Sequence, residues 1–350
     1  MQNRNRRHAE SRELSTIGVQ AFQEQLPRDS VKIMKAYPQI DRLLDQSEQA
    51  QCCAYSTDPL IQKGLYRRYL AGELAKPYPG LYSRCEYWNR LNGAEQSLHM
   101  ARALTEKHPN WVFAGLTAAA AYGFEHQWFL HHEITITLPT HGSYRPHDKL
   151  HVIYSPYPKH DAVTVNGIPA TNKARTLVDC GNTQGFRGAL PIFDSAAAEG
   201  LNEEALLKEC SLTTRDCSNI IKLLRHTNAA SENGGESFAR GTMIESGFAE
   251  PRLQVVITDP ATGQQYRVDF LWQTDDGRTI VCEFDGTAKY VDPEMTGNRS
   301  IHETVQLERN REQGLRRAGV TDIVRLTFND VLQIKPMVAK LRRAGVPTVC

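Results

Sequence analysis

The 350-residue sequence predicts a mixed α/β protein of more than one domain. Its length exceeds that of an ordinary single small domain. Helical periodicity and strand-like alternation both recur along the chain, and 40% hydrophobic with 23% charged residues is ordinary for a folded globular protein. We predict a flexible N-terminal segment over residues 1–35, followed by domains over 36–94, 95–227 and 228–350.

Composition and charge exclude several classes of protein. The net charge is +1, so the chain as a whole is not a polybasic nucleic-acid binder, and any such binding must come from a local patch. No apolar run approaches the length of a membrane span, and the start of the chain lacks the apolar region of a signal peptide. The eight cysteines include no C-x-x-C pair, which predicts reduced thiols in the cytoplasm and argues against structural zinc.

The first folded elements are two helices and a hairpin. A helix is predicted over Ala36–Ala50 and a second over Pro59–Leu70, where Pro59 suits a first helical turn. The stretch Glu73–Ser83 around the turn KPYPG then predicts a short hairpin. Helix, turn, helix and hairpin in this order predict a winged helix-turn-helix, a fold that places a helix and a wing in the grooves of DNA.

This segment is locally basic. Between Ile61 and Arg90 six basic residues stand against two acidic ones, an excess of four positive charges that favours phosphate binding. The run GLYRRYLAGELAKPYPGLYSR resembles the N-terminal domain of AbiEi-family antitoxins. That resemblance implies DNA binding and autoregulation, with these candidate DNA contacts: Lys63, Arg67, Arg68, Lys76 and Arg84. A small helical bundle whose arginines only solvate its surface is the alternative.

The middle region alternates helices and strands. The predicted helices are Ala94–Lys107, Phe113–Gly123, Thr171–Cys180, Ala189–Glu199 and Leu201–Thr227, and the predicted strands are Glu133–Leu138, Leu150–Tyr154 and a hairpin over Val163–Pro169. The pieces LTAAAAYGF and NGIPATNKARTLVDCG resemble the corresponding region of the same antitoxin-like proteins, which implies a scaffold role.

Most histidines of the chain lie in this region: His126, His131, His132, His141, His147, His151 and His160. None has the H-E-x-x-H spacing of a metalloprotease. A metal site among them is one interpretation, and polar core or surface groups are the alternative that we favour.

The last third predicts helix, three strands, helix, strand and helix. The predicted segments are Ser231–Gly247, Leu253–Thr258, Gln265–Trp272, Thr279–Phe284, His302–Ala318, Val320–Thr327 and Asp330–Arg343, with Ser231 or Asn233 as the first helix cap.

Four acidic residues accompany these elements. Glu236 lies in the first helical turn, and Glu283 and Asp285 share a face of their strand because residues two apart point the same way. Asp269 lies on the neighbouring strand, and we expect Val268 and Phe270 to face the opposite side. Converging carboxylates repel one another unless a cation binds them, and hard oxygen ligands favour Mg²⁺ or Mn²⁺. The pattern therefore predicts one metal site.

The ordered set resembles the PD-(D/E)xK, or restriction-endonuclease-like, core, in the branch related to very-short-patch-repair endonucleases. The matching pieces are Glu236, VDF, EFDG and the helix LERNREQGLRRAG before IVRLTF. The resemblance implies a metal-dependent DNA endonuclease in which Asp269, Glu283 and Asp285 hold Mg²⁺ or Mn²⁺. It also implies that Glu236 orients a water, a second ion or the metal ligands. Lys289, Arg309 and Arg311 are candidates for phosphate contact, and a solvated helix face is the alternative for the two arginines.

The sequence departs from the family motif at Asp285, where the usual residue is lysine. Lys289 or a second metal ion could replace that lysine. The resemblance implies a role in phage defence or DNA repair, with DNA and possibly a cognate toxin or defence partner. Two alternatives stay open: an antitoxin-like DNA-binding transcriptional regulator whose nuclease-like domain is inactive, and an RNA-directed enzyme.

Overall fold

A computed structural model describes residues 38–139, 149–155, 162–213, 215–285 and 301–349, with side chains from 306 onward in the last range. The predicted flexible segment 1–35, three of the seven histidines (His141, His147 and His160) and Lys289 lie outside these ranges. Within them the chain forms thirteen α-helices and three β-sheets, which confirms the predicted mixed α/β class. None of the helices described is long and apolar enough to cross a bilayer.

The N-terminal elements have the predicted order of two helices and a hairpin. They are α1 Pro38–Gln49, α2 Pro59–Leu70, β1 Leu74–Tyr78, β2 Leu81–Arg84 and an additional short helix, α3 Cys85–Arg90. Asp58 caps α2 by accepting a hydrogen bond from the Leu60 amide at 2.7 Å. Ile40, Leu44 and Leu65 form the core between the helices and the hairpin.

The middle region forms a five-stranded sheet flanked by helices. Its elements are α4 Gly93–Lys107, β3 Val112–Phe113, α5 Gly115–Tyr122, a 3₁₀ turn Trp128–Leu130, β4 Ile134–Leu138, β5 Leu150–Tyr154, β6 Val163–Val165, β7 Ile168–Ala170, α6 Lys173–Thr183, α7 Gly185–Ala198, α8 Glu203–Leu212 and α9 Ser218–His226. The strand order is β5-β4-β3-β7-β6.

One expectation about this region is wrong: the helical stretch Leu201–Thr227 is two helices, α8 and α9. Asp216 accepts hydrogen bonds from the backbone amide and the hydroxyl of Ser218, at 2.9 and 2.7 Å. Thr213 accepts another from the amide of Arg215. Such short side chain to backbone bonds compete with the helical pattern and end it locally.

The C-terminal region has the predicted order αβββαβ followed by helices. Its elements are α10 Gly234–Glu245, β8 Arg252–Thr258, β9 Gln265–Gln273, β10 Thr279–Asp285, α11 Ile301–Arg317, β11 Asp322–Thr327, α12 Phe328–Gln333 and α13 Lys335–Ala344. The sheet order is β11-β10-β9-β8. The first three strands are antiparallel, and β11 runs parallel to β10, as a helical crossover such as α11 requires.

The predicted single final helix is also divided in two. The break lies at Ile334, whose φ of 62° is incompatible with a right-handed helix. Pro336 follows in the first turn of α13, a position where its missing N–H costs no helical bond.

The β8–β9 hairpin changes face halfway along its length. Val268 packs with Leu315 on the α11 side of the sheet, whereas Phe270 packs with Phe238 of α10 on the other side. In β8 the same exchange occurs between Leu253 and Val255. The expectation that Val268 and Phe270 share a face is therefore wrong, because the strands are irregular at the residue between them.

Candidate metal centre and nucleic-acid surface

Gln254 and Asp269 occupy the point where the hairpin changes face. Gln254 has a φ of 51°, and its residue pair is absent from an otherwise continuous ladder between β8 and β9. Its amide nitrogen Nε2 donates to Glu236 Oε2 at 2.8 Å and lies 3.5 Å from Asp269 Oδ1. The irregularity thus brings Glu236 and Asp269 together through one glutamine, which the sequence analysis did not identify.

Asp269 also ties β9 to β10 where their ladder ends. The last backbone pair is Phe270 with Cys282. Beyond it, the carboxylate oxygen Oδ2 of Asp269 accepts a hydrogen bond from the Phe284 amide at 2.8 Å. A side chain therefore replaces the backbone partner at the point where the two strands separate.

Glu236 is buried, with 5% of its surface exposed, and it is anchored at the start of α10. Asn233 caps this helix, because its Oδ1 accepts a hydrogen bond from the backbone N–H of Glu236 at 3.0 Å. Its side-chain nitrogen Nδ2 in turn donates to Glu236 Oε1 at 2.8 Å. Burial, and secondarily the negative charge of Asp269, raise the pKa of Glu236. A carboxyl group with a raised pKa is suited to proton transfer. A role in capping α10 would also explain a glutamate at this position.

Gly235 allows α10 to approach the sheet at this point. A Cβ atom on Gly235 would lie 2.7 Å from Cε1 of Phe284. The close contact places the first turn of α10, and with it Glu236, beside the end of β10. A larger residue at this position would have to displace an aromatic ring of the core.

Glu283 is directed towards α11. Because Cys282 and Phe284 lie in the core on the α10 side, alternation places Glu283 and Asp285 together on the opposite face. The guanidinium Nε of Arg311 donates to Glu283 Oε1 at 2.9 Å.

Arg311 is itself fixed from two directions. Its Nη2 donates to the carbonyl oxygen of Arg267 at 2.6 Å, and its guanidinium lies 5.7 Å from the centroid of the Tyr266 ring. Glu283 is 15% exposed and Arg311 28% exposed, so the ion pair between them is partly shielded from water. The carboxylate of Glu283 is therefore engaged by a cation of the protein.

The remaining predicted site residues lie around this pair. Asp285 is half-buried at the end of β10 and pairs in register with Thr327 of β11. Arg309 is exposed on α11, two residues before Arg311.

Among the residues described, no three His, Cys, Asp or Glu side chains lie together in a way that could hold a metal ion. Arg311 engages Glu283, and Gln254 lies between Glu236 and Asp269. The chemistry of the donors nevertheless fits a hard cation, since Glu236 and Asp269 present carboxylate oxygens. Oε1 of Gln254 is also buried without a hydrogen-bond partner in this part of the chain. The metal site of Asp269, Glu283 and Asp285 remains a prediction.

Two of the histidines form a close pair. Nε2 of His126 lies 2.6 Å from Nε2 of His131. Burial lowers the pKa of both rings, and that of His131 falls to about 3. One neutral ring can donate to the other, so the pair is explained as a buried polar contact.

The N-terminal basic patch is smaller than the sequence indicates. Arg68 is 9% exposed and donates to both carboxylate oxygens of Asp41 in α1. Arg84 pairs with Asp45 and Glu48 of the same helix, at 2.7 and 2.9 Å. These acids precede the stretch over which the charges were counted. Both arginines therefore hold α1 in place, which leaves them less available for DNA than the sequence indicates, and their assignment as DNA contacts stays a prediction.

Three of the predicted contacts remain on the surface. Lys63, Arg67 and Lys76 are exposed, the first two on α2 and the third on the hairpin. The ammonium group of Lys76 lies 5.4 and 5.7 Å from the ring centroids of Tyr66 and Tyr69. Cations beside exposed aromatic rings are a surface suited to nucleic acid.

The sequence matches none of the protein-family models, curated proteins or solved structures with which it was compared. The resemblances to PD-(D/E)xK nucleases and to AbiEi-family antitoxins therefore rest on the quoted motifs, and the activities that they imply remain predictions.

Proposed function

We propose that this protein is a metal-dependent DNA endonuclease whose N-terminal winged helix supplies affinity for DNA. The observation that carries the proposal is the convergence of Glu236 and Asp269 at the strand end where β9 and β10 separate. The αβββαβ order of the surrounding elements, with β11 parallel to β10, supports it further, since the resembling nucleases share that order.

The proposed site uses oxygen ligands. Asp269, Glu283 and Asp285 would hold Mg²⁺ or Mn²⁺. When bound, such a cation lowers the pKa of a coordinated water and neutralises charge on the phosphate. Hydrolysis of a phosphodiester also requires an oriented water. Glu236 lies beside Asp269 and would orient that water, a second ion or the metal ligands.

The arginines of α11 would orient the phosphate. The guanidinium of Arg311 presents paired N–H donors in a plane that matches phosphate oxygens as well as the Glu283 carboxylate. Arg309 is exposed on the same helix and would contact the backbone of the DNA farther from the acids. Exchange of Arg311 from Glu283 to phosphate would free the carboxylate of Glu283 for a cation.

The enzyme hypothesis is tested by incubating the protein with plasmid, linear and mismatched DNA in Mg²⁺, Mn²⁺ or EDTA. Cleavage that requires a divalent cation and stops in EDTA is expected. If the protein binds the DNA and the DNA stays intact in every metal, the endonuclease proposal is contradicted.

DNA binding is tested separately. Arg67→Ala in the full chain should weaken duplex binding and reduce the slope of log affinity against log salt by about one, as loss of one phosphate contact predicts. Arg68→Ala should instead lower the melting temperature, because it leaves Asp41 without its partner. Equal effects of the two changes on the salt slope would contradict the division between an exposed contact and a structural ion pair.

The alternative is a DNA-binding, antitoxin-like regulator with an inactive nuclease-like domain. The ion pair between Glu283 and Arg311 favours it, because the guanidinium competes with a metal ion for the Glu283 carboxylate. Salt-sensitive DNA binding without cleavage in any divalent metal is the result that this alternative predicts.

A further inference from the structure

Gln254 forms hydrogen bonds with one end of its side-chain amide and not with the other. Its side chain lies between two carboxylates, and its amide nitrogen is directed to both of them. This orientation follows from the donors available, since ionised carboxylates only accept hydrogen bonds and an amide nitrogen only donates.

The same orientation leaves the other end of the amide unsatisfied. Oε1 of Gln254 is buried and has no hydrogen-bond partner within the described ranges. A buried acceptor without a partner costs about 1–3 kcal/mol. A stabilising role alone would favour a side chain without that oxygen.

A half-turn about the terminal torsion of Gln254 exchanges the nitrogen and the oxygen. The oxygen would then face Glu236 and Asp269, which is repulsive unless a cation lies among the three groups. With a divalent cation there, two carboxylates neutralise its charge and the amide oxygen adds a third hard ligand.

We propose that Gln254 is a metal-ligating residue, which turns its amide and presents Oε1 to a Mg²⁺ or Mn²⁺ ion between Glu236 and Asp269, with Asp269 as the ligand shared with the site of Glu283 and Asp285. This inference rests on the proposed function, because it concerns the cation which that function requires. It adds a ligand that lies outside the acidic set of the sequence motif, on a strand for which no role was predicted.

The test is Mn²⁺ binding to the full-length protein, measured by calorimetry and by the loss of the free-ion electron paramagnetic resonance signal. Gln254→Leu removes both amide groups and should weaken Mn²⁺ binding by about 10- to 100-fold, the usual effect of losing a group that supports a metal ion. Gln254→Glu keeps the shape and supplies a charged oxygen, so its affinity should equal or exceed that of the wild type. Gln265→Leu, at an exposed position of β9, is the matched control and should leave the affinity unchanged.

Melting temperatures in EDTA establish that each variant is folded before its affinity is compared. Unchanged or tighter Mn²⁺ binding by folded Gln254→Leu would overturn the inference, since the amide would then only compete with the cation. The endonuclease proposal would survive that result as long as the wild-type protein binds Mn²⁺. Absence of Mn²⁺ binding by the wild type would overturn both.

Discussion

Arg311→Leu separates the two roles that the structure allows for Glu283. The wild-type guanidinium donates from Nε and Nη2 to Glu283 and from Nη2 to the carbonyl oxygen of Arg267. Leucine retains apolar contact with Tyr266 but supplies no donor. Arg309→Leu is the matched control, because Arg309 is exposed on the same helix.

The expected loss of stability is moderate. Hydrogen bonds to charged groups contribute about 1.5–3 kcal/mol each when buried. Glu283 and Arg311 are 15% and 28% exposed, so water can partly replace the lost partner. We expect Arg311→Leu to reduce the free energy of unfolding by about 1–2 kcal/mol and Arg309→Leu by less than about 0.5 kcal/mol, measured by urea unfolding in EDTA.

Metal affinity should change in the opposite direction. A unit charge about 4 Å from a cation costs about 4 kcal/mol at an effective dielectric constant of 20. Even a third of that amount is a tenfold change in affinity. Arg311→Leu should therefore bind Mn²⁺ at least about tenfold more tightly than the wild type, while Arg309→Leu binds it equally. An unchanged or weaker affinity in folded Arg311→Leu would refute the placement of Glu283 in the metal site.

Three further predictions concern the same region. Gly235→Ala should lower the free energy of unfolding by about 1–3 kcal/mol, because its Cβ would lie 2.7 Å from Phe284, and unchanged urea unfolding would contradict this packing. Asp269→Asn should lower the pKa of Glu236. A raised carboxyl pKa makes native stability fall as pH rises from the unfolded to the folded pKa, so the fall should be smaller and end at lower pH in the variant, and an identical pH profile in EDTA would contradict it. Asp285→Asn should shift the midpoint of a Mg²⁺ titration of cleavage to higher concentration, whereas an unchanged midpoint would make Asp285 a turn residue outside the coordination sphere.

Local features of the fold follow directly from the sequence. Pro59 and Asp58 mark the start of α2, and Asn233 marks the start of α10. The short polar side chains accept hydrogen bonds from the first backbone N–H groups of a helix, and proline has no N–H that would need a partner there. The shared face of Glu283 and Asp285 follows from strand alternation in the same way. These features depend on neighbours a few residues apart.

The features that the sequence does not reveal depend on distant partners. Arg68 and Asp41 are 27 residues apart, so a count of charges over a short window cannot detect that they neutralise each other. The change of face at Asp269 requires a positive φ at Gln254 on the facing strand, a conformation for which glutamine has no preference. The sequence signal for this irregularity was a glutamine within an otherwise apolar strand pattern.

The proposed function requires that Asp269, beside Gln254, holds the cation with which the protein cleaves DNA. The most direct measurement compares Mn²⁺-dependent cleavage of plasmid DNA by the wild type, by Asp269→Asn and by Asp275→Asn, an identical change at an exposed position in the turn between β9 and β10. Asp269→Asn should abolish cleavage without unfolding the protein, while Asp275→Asn should cleave at the wild-type rate. Wild-type cleavage by folded Asp269→Asn would contradict that requirement.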